Sequence, residues 1–246
     1  GTQGAVSASI GYLEVNGGTF KTVVCDNNHT SSVFYALYAA GEAGTVQCII
    51  HDGTFKTAGN YTAVLIGNDN TNGDGGINAD ACSYIYGGTF LAPEGVSAVK
   101  VSPNTANSSV LYGGSYSMLG ETDALPYVAA ECRTVEATEG GVSYVVQART
   151  EEDTDAVAKV GDKVYASLQT AIDAAEGGTA VLLKDTAESI TVSGDRTVTL
   201  DLGGNTLTNT AGSHTITVVL GGRLTLEDSA GNGKVDNISH AKAALF

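Results

Sequence analysis

The chain has 246 residues, of which 42% are hydrophobic and 16% charged, with 32 glycines, 3 prolines and no tryptophan. That apolar content excludes wholesale disorder, and glycine this frequent without a collagen period implies many tight turns between short strands. With 12 Lys and Arg against 27 Asp and Glu, a net charge of −15 repels phosphate backbones and anionic lipids, which excludes nucleic acid as a partner.

Apolar runs such as Ala180–Leu183 fall far short of the roughly 20 residues of a membrane-spanning helix, so no membrane insertion is expected. The chain opens on Gly1-Thr2-Gln3 without a leader pattern and reads as a mature or excised segment. Its polar but weakly charged surface, built from Ser, Thr, Asn and Gly, suits an extracellular, cell-surface or cell-wall protein.

The first half is organised by a repeat. Four segments align without gaps: Leu13–Phe20, Cys48–Phe55, Ser83–Phe90 and Ser109–Tyr116, and their aromatic ends step by 35, 35 and 26 residues. Each reads as a short strand, a glycine-centred bend, then Thr or Ser and an aromatic. Side chains alternate along a strand, so Val15, Ile50, Ile85 and Leu111 share one register and point inward as an aliphatic ladder. Leu13, Cys48, Ser83 and Ser109 lie on the same side, while Asn16, His51, Tyr86 and Tyr112 point outward. Phe20, Phe55, Phe90 and Tyr116 follow the bend and are expected to stack. A second strand-like run accompanies the motif at Val33–Tyr38, Tyr61–Ile66 and Val96–Val101. Two or three strands per period, one coil on the next, is how a parallel β-helix buries a core that no single coil could bury.

Between 120 and 155 the repeat fades and acids accumulate, from Glu121 to Asp155, with a strand at Val142–Val146. A new start follows. Val157–Val160 and Lys163–Tyr165 read as a hairpin around Gly161-Asp162. Ser167 is placed to cap a helix over 168–175, with Leu168, Ala171, Ile172 and Ala175 on one face and Gly177 ending it. Strands are expected again at Thr179–Leu183, Ser189–Val192, Thr197–Leu202, Thr215–Val219 and Arg223–Leu226. An unrelated α+β domain is the alternative for this half.

The run from Val157 to Ala175 resembles the opening of pectin-lyase-like β-helix modules, as do Thr197–Leu207 and Gly222–Ser229. Such modules occur in large surface proteins of Gram-positive gut anaerobes, where Gly-Gly-Thr-Phe coils follow the helix-capped start. In this chain the order is reversed. The resemblance covers most of the chain and implies an all-β fold, a right-handed parallel β-helix (solenoid) with one short capping helix near 168–175. Residues 1–119 are then coils, 120–155 an acidic terminal strand and linker, and 156–246 the helix-capped start of a second β-helix. Because the chain opens and stops mid-pattern, it reads as a piece of a tandem array. Its open coil edges imply other copies of itself as partners, stacked end to end.

Candidate chemistry is sparse. Asn70-Thr71-Asn72-Gly73-Asp74-Gly75-Gly76-Ile77-Asn78 resembles the calcium loop of EF-hand and dockerin segments, with Asn70, Asn72, Asp74 and Asn78 at ligand positions. It departs from that loop in opening on Asn and in carrying Ala81 where a bidentate acid belongs, so a plain polar loop is the competing reading. Calcium is the one cofactor this loop would suit. A lyase would need clustered acids beside an Arg or Lys base, and a glycosidase two facing carboxylates. The outward rows offer Glu14 alone, and Asp201 and Asp228 sit in glycine-flanked bends where Asp usually binds backbone amides. The four histidines, His29, His51, His214 and His240, lack metal-ligand spacing. Cys25, Cys48, Cys82 and Cys132 contain no Cys-x-x-Cys pair and read as buried thiols, with one disulfide left open. Tyr84, Tyr86 and Tyr112 form an outward amphipathic patch, suited to a glycan or host protein as well as to steadying adjacent coils. The expected function is a non-catalytic adhesive or spacer module; the alternative is a polysaccharide lyase, hydrolase or glycan-binding module on the same scaffold.

Overall fold

A computed structural model describes residues 2–8, 11–22, 33–39, 46–58, 60–67, 82–102, 107–210, 212–239 and 242–246. Strands are the main regular structure of the described residues, beside one α-helix, and the chain divides into two compact units, Gly1–Gln147 and Ala148–Phe246.

Among the described residues, unit one is built from three sheets whose strands come from successive repeats. The first pairs Thr2–Ala8, Val33–Ala39, Val64–Ile66 and Val99–Val101, all parallel. In the second, Gly11–Val15, Val46–Ile50 and Tyr84–Ile85 pair in parallel. Thr19–Lys21, Thr54–Lys56, Thr89–Leu91 and Gly114–Tyr116 run parallel in the third. Here the pattern ends: Tyr144–Ala148 lies antiparallel on Gly114–Tyr116, and Cys132–Glu136 flanks it at the sheet's edge.

The pairing aligns equivalent residues of the repeat. Val15 is opposite Ile50, Ile50 opposite Ile85, and isolated bridges carry the column on to Leu111 and Val128. Ile50, Ile85 and Leu111 are fully buried, and Val15 is 6% exposed at the outermost strand. Phe20, Phe55, Phe90 and Tyr116 form a second column, with ring centroids 5.0, 5.0 and 4.9 Å apart and planes within 13° of parallel. Those spacings are set by the backbone, because parallel strands lie about 4.8 Å apart and equivalent rings must follow them. Offset stacking adds about 0.5–1.5 kcal/mol per pair beyond burial. The Tyr116 hydroxyl meets no water and donates to the Gly113 carbonyl at 2.6 Å.

The bend before every aromatic uses glycine for its φ, and in the third and fourth repeats the residue before that glycine is held to glycine as well. Gly18, Gly53, Gly88 and Gly114 all hold φ between +109° and +136°, a region that side-chain-bearing residues resist. The residue just before them meets the preceding repeat: a Cβ on Gly87 would lie 2.4 Å from the His51 carbonyl oxygen, and one on Gly113 2.1 Å from that of Tyr86. The second repeat carries Asp52 there, and its carboxylate accepts from the Gly53 amide at 2.7 Å.

Unit two opens with the hairpin Ala158–Val160 and Lys163–Tyr165, antiparallel around Gly161, which has φ +57°. The first hairpin strand is also antiparallel to Thr179–Leu182. From there pairing is parallel: Thr179–Leu182 on Thr197–Asp201 on Arg223–Glu227, Thr186–Ala187 on Thr206–Thr208 on Lys234–Val235, and Ile190–Val192 on Ile216–Val218. The backbone of 243–246 then pairs beside Ile216–Val218, through bonds such as Ile216 N–H to the Ala244 carbonyl and Phe246 N–H to the Ile216 carbonyl, both 2.9 Å. Ala180, Leu200, Val198, Leu207, Ile190 and Ile216 fill the interior.

The helix α1 (Leu168–Ala174) buries Leu168, Ala171 and Ile172, the face its spacing predicts, and Ser167 accepts from the Thr170 amide at 3.3 Å. A carboxylate from a distant strand connection completes the cap. Glu188 accepts from the amides of Leu168 (2.8 Å) and Gln169 (2.9 Å) and from the Ser167 hydroxyl (2.8 Å), satisfying donors that a helix N-terminus leaves open.

Candidate functional site

Among the described residues, the outward face of the sheet formed by Gly11–Val15, Val46–Ile50 and Tyr84–Ile85 carries a cluster of aromatic and ionisable side chains. Residues inward on one strand alternate with residues outward. Burying Val15, Ile50 and Ile85 therefore obliges Glu14, His51, Tyr84 and Tyr86 to face the other way.

Tyr84, Tyr86 and Tyr112 come together there. Tyr86 lies 5.9 Å from Tyr84 at 16° and 5.5 Å from Tyr112 at 40°, and Tyr84 is 6.0 Å from Tyr112 at 56°. The cluster continues across the sheet through His51, whose ring stacks on Tyr86 at 5.6 Å and 16°. His51 Nε2 is 3.0 Å from Glu14 Oε1, and the Tyr12 hydroxyl donates to Glu14 Oε2 at 2.9 Å. Tyr12 is 58% and Tyr86 46% exposed. The strip thus runs from Tyr12 to Tyr112 as linked ring contacts and hydrogen bonds.

Two groups in the strip hold their protons more firmly than usual. The Tyr12 phenol is raised chiefly by its hydrogen bond to the Glu14 carboxylate. Burial raises the Tyr84 phenol, with its contact to Cys82 adding to the effect. The strip thus combines the aromatic rings with the Glu14–His51 contact. Tyr12 and the Glu14–His51 contact are additions to the outward tyrosines read from the sequence. Tyr12 sits two residues before Glu14 on the same face, and in this register Glu14 and His51 are diagonal neighbours, so the alternation contained the signal.

Asn70, Asn72, Asp74 and Asn78, the calcium-loop positions, lie outside the described residues. Among the described residues no three His, Cys, Asp or Glu side chains are grouped to hold a metal ion. Asp201 Oδ1 accepts from the amides of Gly203 and Ser229, both at 2.9 Å. Asp228 accepts from Gly204 at 2.7 Å and Gly233 at 2.6 Å. These amide bonds lower both carboxyls, led by Ser229 for Asp201 and by Gly233 for Asp228, as expected of carboxylates that tie a bend to the neighbouring strand. A surface hollow of about 400 Å³ lies between Pro93, Glu94, Met118 and Tyr144, and Glu94 is its one carboxylate.

Cys48, Cys82 and Cys132 are free thiols, and Cys25 lies outside the described residues. Burial pushes the Cys48 thiol up to about 12, so it is a small core side chain with negligible thiolate. His214 serves the fold as well: its Nδ1 accepts from the Ala243 amide at 3.0 Å and its ring stacks on Phe246. His29 and His240 lie outside the described residues. No helix among the described residues is long and apolar enough to cross a membrane. No family model, curated protein or solved structure matches the chain.

Proposed function

We propose that both units are stretches of right-handed parallel β-helix, of the pectin-lyase-like kind, and that the chain is a non-catalytic adhesive or spacer module of a secreted or cell-surface protein. The observation that carries this reading is the residue-for-residue parallel pairing of one repeat on the next in three separate sheets. A chain wound in this way gains length with each coil and presents the same outward positions over and over. Regular length and a repeated face are what spacing and adhesion require.

The tyrosine strip is the adhesive face in this reading. Its rings brace one another, so little side-chain freedom remains to be lost when a partner binds. Rings with polar tips serve a surface that must stay wet on one side and bury carbon on the other. The carboxylates of the second unit support a structural role, since Asp201 and Asp228 are committed to backbone amides.

A glycan array probed with the purified chain, beside an assay for unsaturated product from acidic polysaccharides, tests this function. Retention of glycans, lost in Tyr84→Ala and Tyr86→Ala, with no unsaturated product, is the expected result. Release of unsaturated sugar would overturn the non-catalytic reading, and retention unchanged by both substitutions would remove the strip from its role.

A further inference from the structure

We infer that the hollow of about 400 Å³ between Pro93, Glu94, Met118 and Tyr144 receives a lysine side chain of a partner protein. The hollow shares no residue with the tyrosine strip, so it stands whether or not the strip binds glycans.

Hydrogen bonds fix its walls. On one side the Val96 amide donates to the Pro93 carbonyl at 3.1 Å, closing the turn that carries Glu94. Ser117 ties that turn to the next repeat: its hydroxyl accepts from the Ala92 amide at 2.9 Å and donates to the Ala92 carbonyl at 3.2 Å. On the other side the Ser143 amide donates to the Tyr116 carbonyl at 2.8 Å, and Tyr144 lies opposite Tyr116 in the antiparallel pair. A hollow held in this way exists before a ligand arrives, so binding pays little to order it.

The lining combines carbon surface with unengaged oxygen. Pro93, Met118 and Tyr144 supply the carbon, and Tyr144 also packs against the core of unit one. The Glu94 carboxylate and the hydroxyls of Ser143 and Tyr144 take no hydrogen bond or ion pair from other described residues. An ammonium has three donors and no acceptor, so oxygens of separate residues can share it, whereas the flat guanidinium fork is matched to a single carboxylate. The lysine stem lays its carbons on apolar surface while its head stays on polar ground. The face of a tyrosine attracts that head as well.

Charge points the same way. Gly1–Gln147 contains 13 Asp and Glu against 4 Lys and Arg. None of those four bases, Lys21, Lys56, Lys100 and Arg133, lines the hollow. The surrounding field therefore draws a cation and repels an acidic ligand. A neutral sugar could use the hydroxyls but would gain nothing from that field.

Met118 is the one methionine of the chain, so an isotope-labelled methionine methyl gives a single nuclear magnetic resonance signal, and it comes from the hollow. The probe is the peptide acetyl-Gly-Gly-Lys-Gly-Gly-amide, beside the same peptide with norleucine, arginine or Nε-acetyl-lysine at its centre. A saturable shift is expected with the lysine peptide at millimolar concentration, weakening as salt is added, and a much smaller response to the other three. Glu94→Gln is expected to weaken lysine binding about threefold to fivefold, the worth of one exposed ion pair, and Glu121→Gln, outside the hollow, to leave it unchanged. Glu94 is exposed, so its replacement should leave thermal unfolding as in wild type, which separates lost binding from lost fold. A methyl signal unmoved by the lysine peptide, an equal response to norleucine or arginine, or lysine binding unaltered in Glu94→Gln would overturn the inference.

Discussion

The ring of Phe55 lies 5.0 Å from that of Phe90 with 4° between their planes, although 35 residues of chain separate them. Neither ring touches solvent. An equal spacing in sequence has become a vertical stack in space, and the stability of unit one should reflect it.

Phe55→Ala and Phe90→Ala are each expected to cost about 3–5 kcal/mol, the range for truncating a buried aromatic. Phe20, half-buried at the end of the column, should cost clearly less. Urea unfolding followed by tyrosine fluorescence checks the order; equal losses at all three positions would show that the column has no end at Phe20.

The close approach at the bends gives a second expectation. Gly113→Ala would put a methyl 2.1 Å from the Tyr86 carbonyl oxygen, whereas Gly178→Ala meets nothing nearer than 3.7 Å. The first should destabilise by about 1–3 kcal/mol through overpacking. The second should change stability by well under about 1 kcal/mol, since an unstrained surface glycine loses only unfolded-state freedom on becoming alanine. Thermal unfolding of the two variants makes the comparison.

Acid should loosen unit two at the bends. The carboxyls of Asp201 and Asp228 are lowered in the folded state, so the unfolded chain binds protons first as pH falls. Their contribution is fully present above about pH 5, declines from about pH 4, the unfolded carboxyl value, and is gone below the folded values. Asp201→Asn and Asp228→Asn should each lower stability at neutral pH and flatten this acid limb. A limb of unchanged slope in both variants would contradict the assignment.

Much of this was legible in the sequence because the repeat spacing is regular. The ladder from Val15 to Leu111, the ring column, the hairpin at Gly161 and the helix after Ser167 all follow from alternation, helical spacing and a capping residue, and the structure has each of them. Elements whose stability comes from a neighbour left weaker marks. Thr2–Ala8 precedes the first repeat, contains Gly4 and is a strand through its parallel partner Val33–Ala39. Cys132–Glu136 carries Arg133 and Glu136 and sits at a sheet edge, with Cys132 its one buried residue. The helix cap contributed by Glu188 comes from 20 residues beyond Leu168, too far for a local capping pattern to show it. The outward tyrosines were readable as a row, but their link through His51 to Glu14 required the diagonal geometry of two strands.

Thiol accessibility separates core from surface at adjacent repeat positions, since Ser83 is the equivalent of Cys48 and Cys82 precedes it. Cys48 is fully buried, with its thiol pushed up to about 12, whereas Cys82 is half-buried. In a Cys25→Ser background, a disulfide reagent should label Cys82 first and reach Cys48 only on unfolding. Rapid labelling of Cys48 in the native protein would place it outside the core.

Methyl–methyl nuclear Overhauser contacts in selectively labelled protein test the stacking of repeats most directly. The account predicts an unbroken chain of contacts from Val15 to Ile50, Ile85, Leu111 and Val128, each to the next. Contacts confined to residues near in sequence, with none between Ile50 and Ile85, would contradict it.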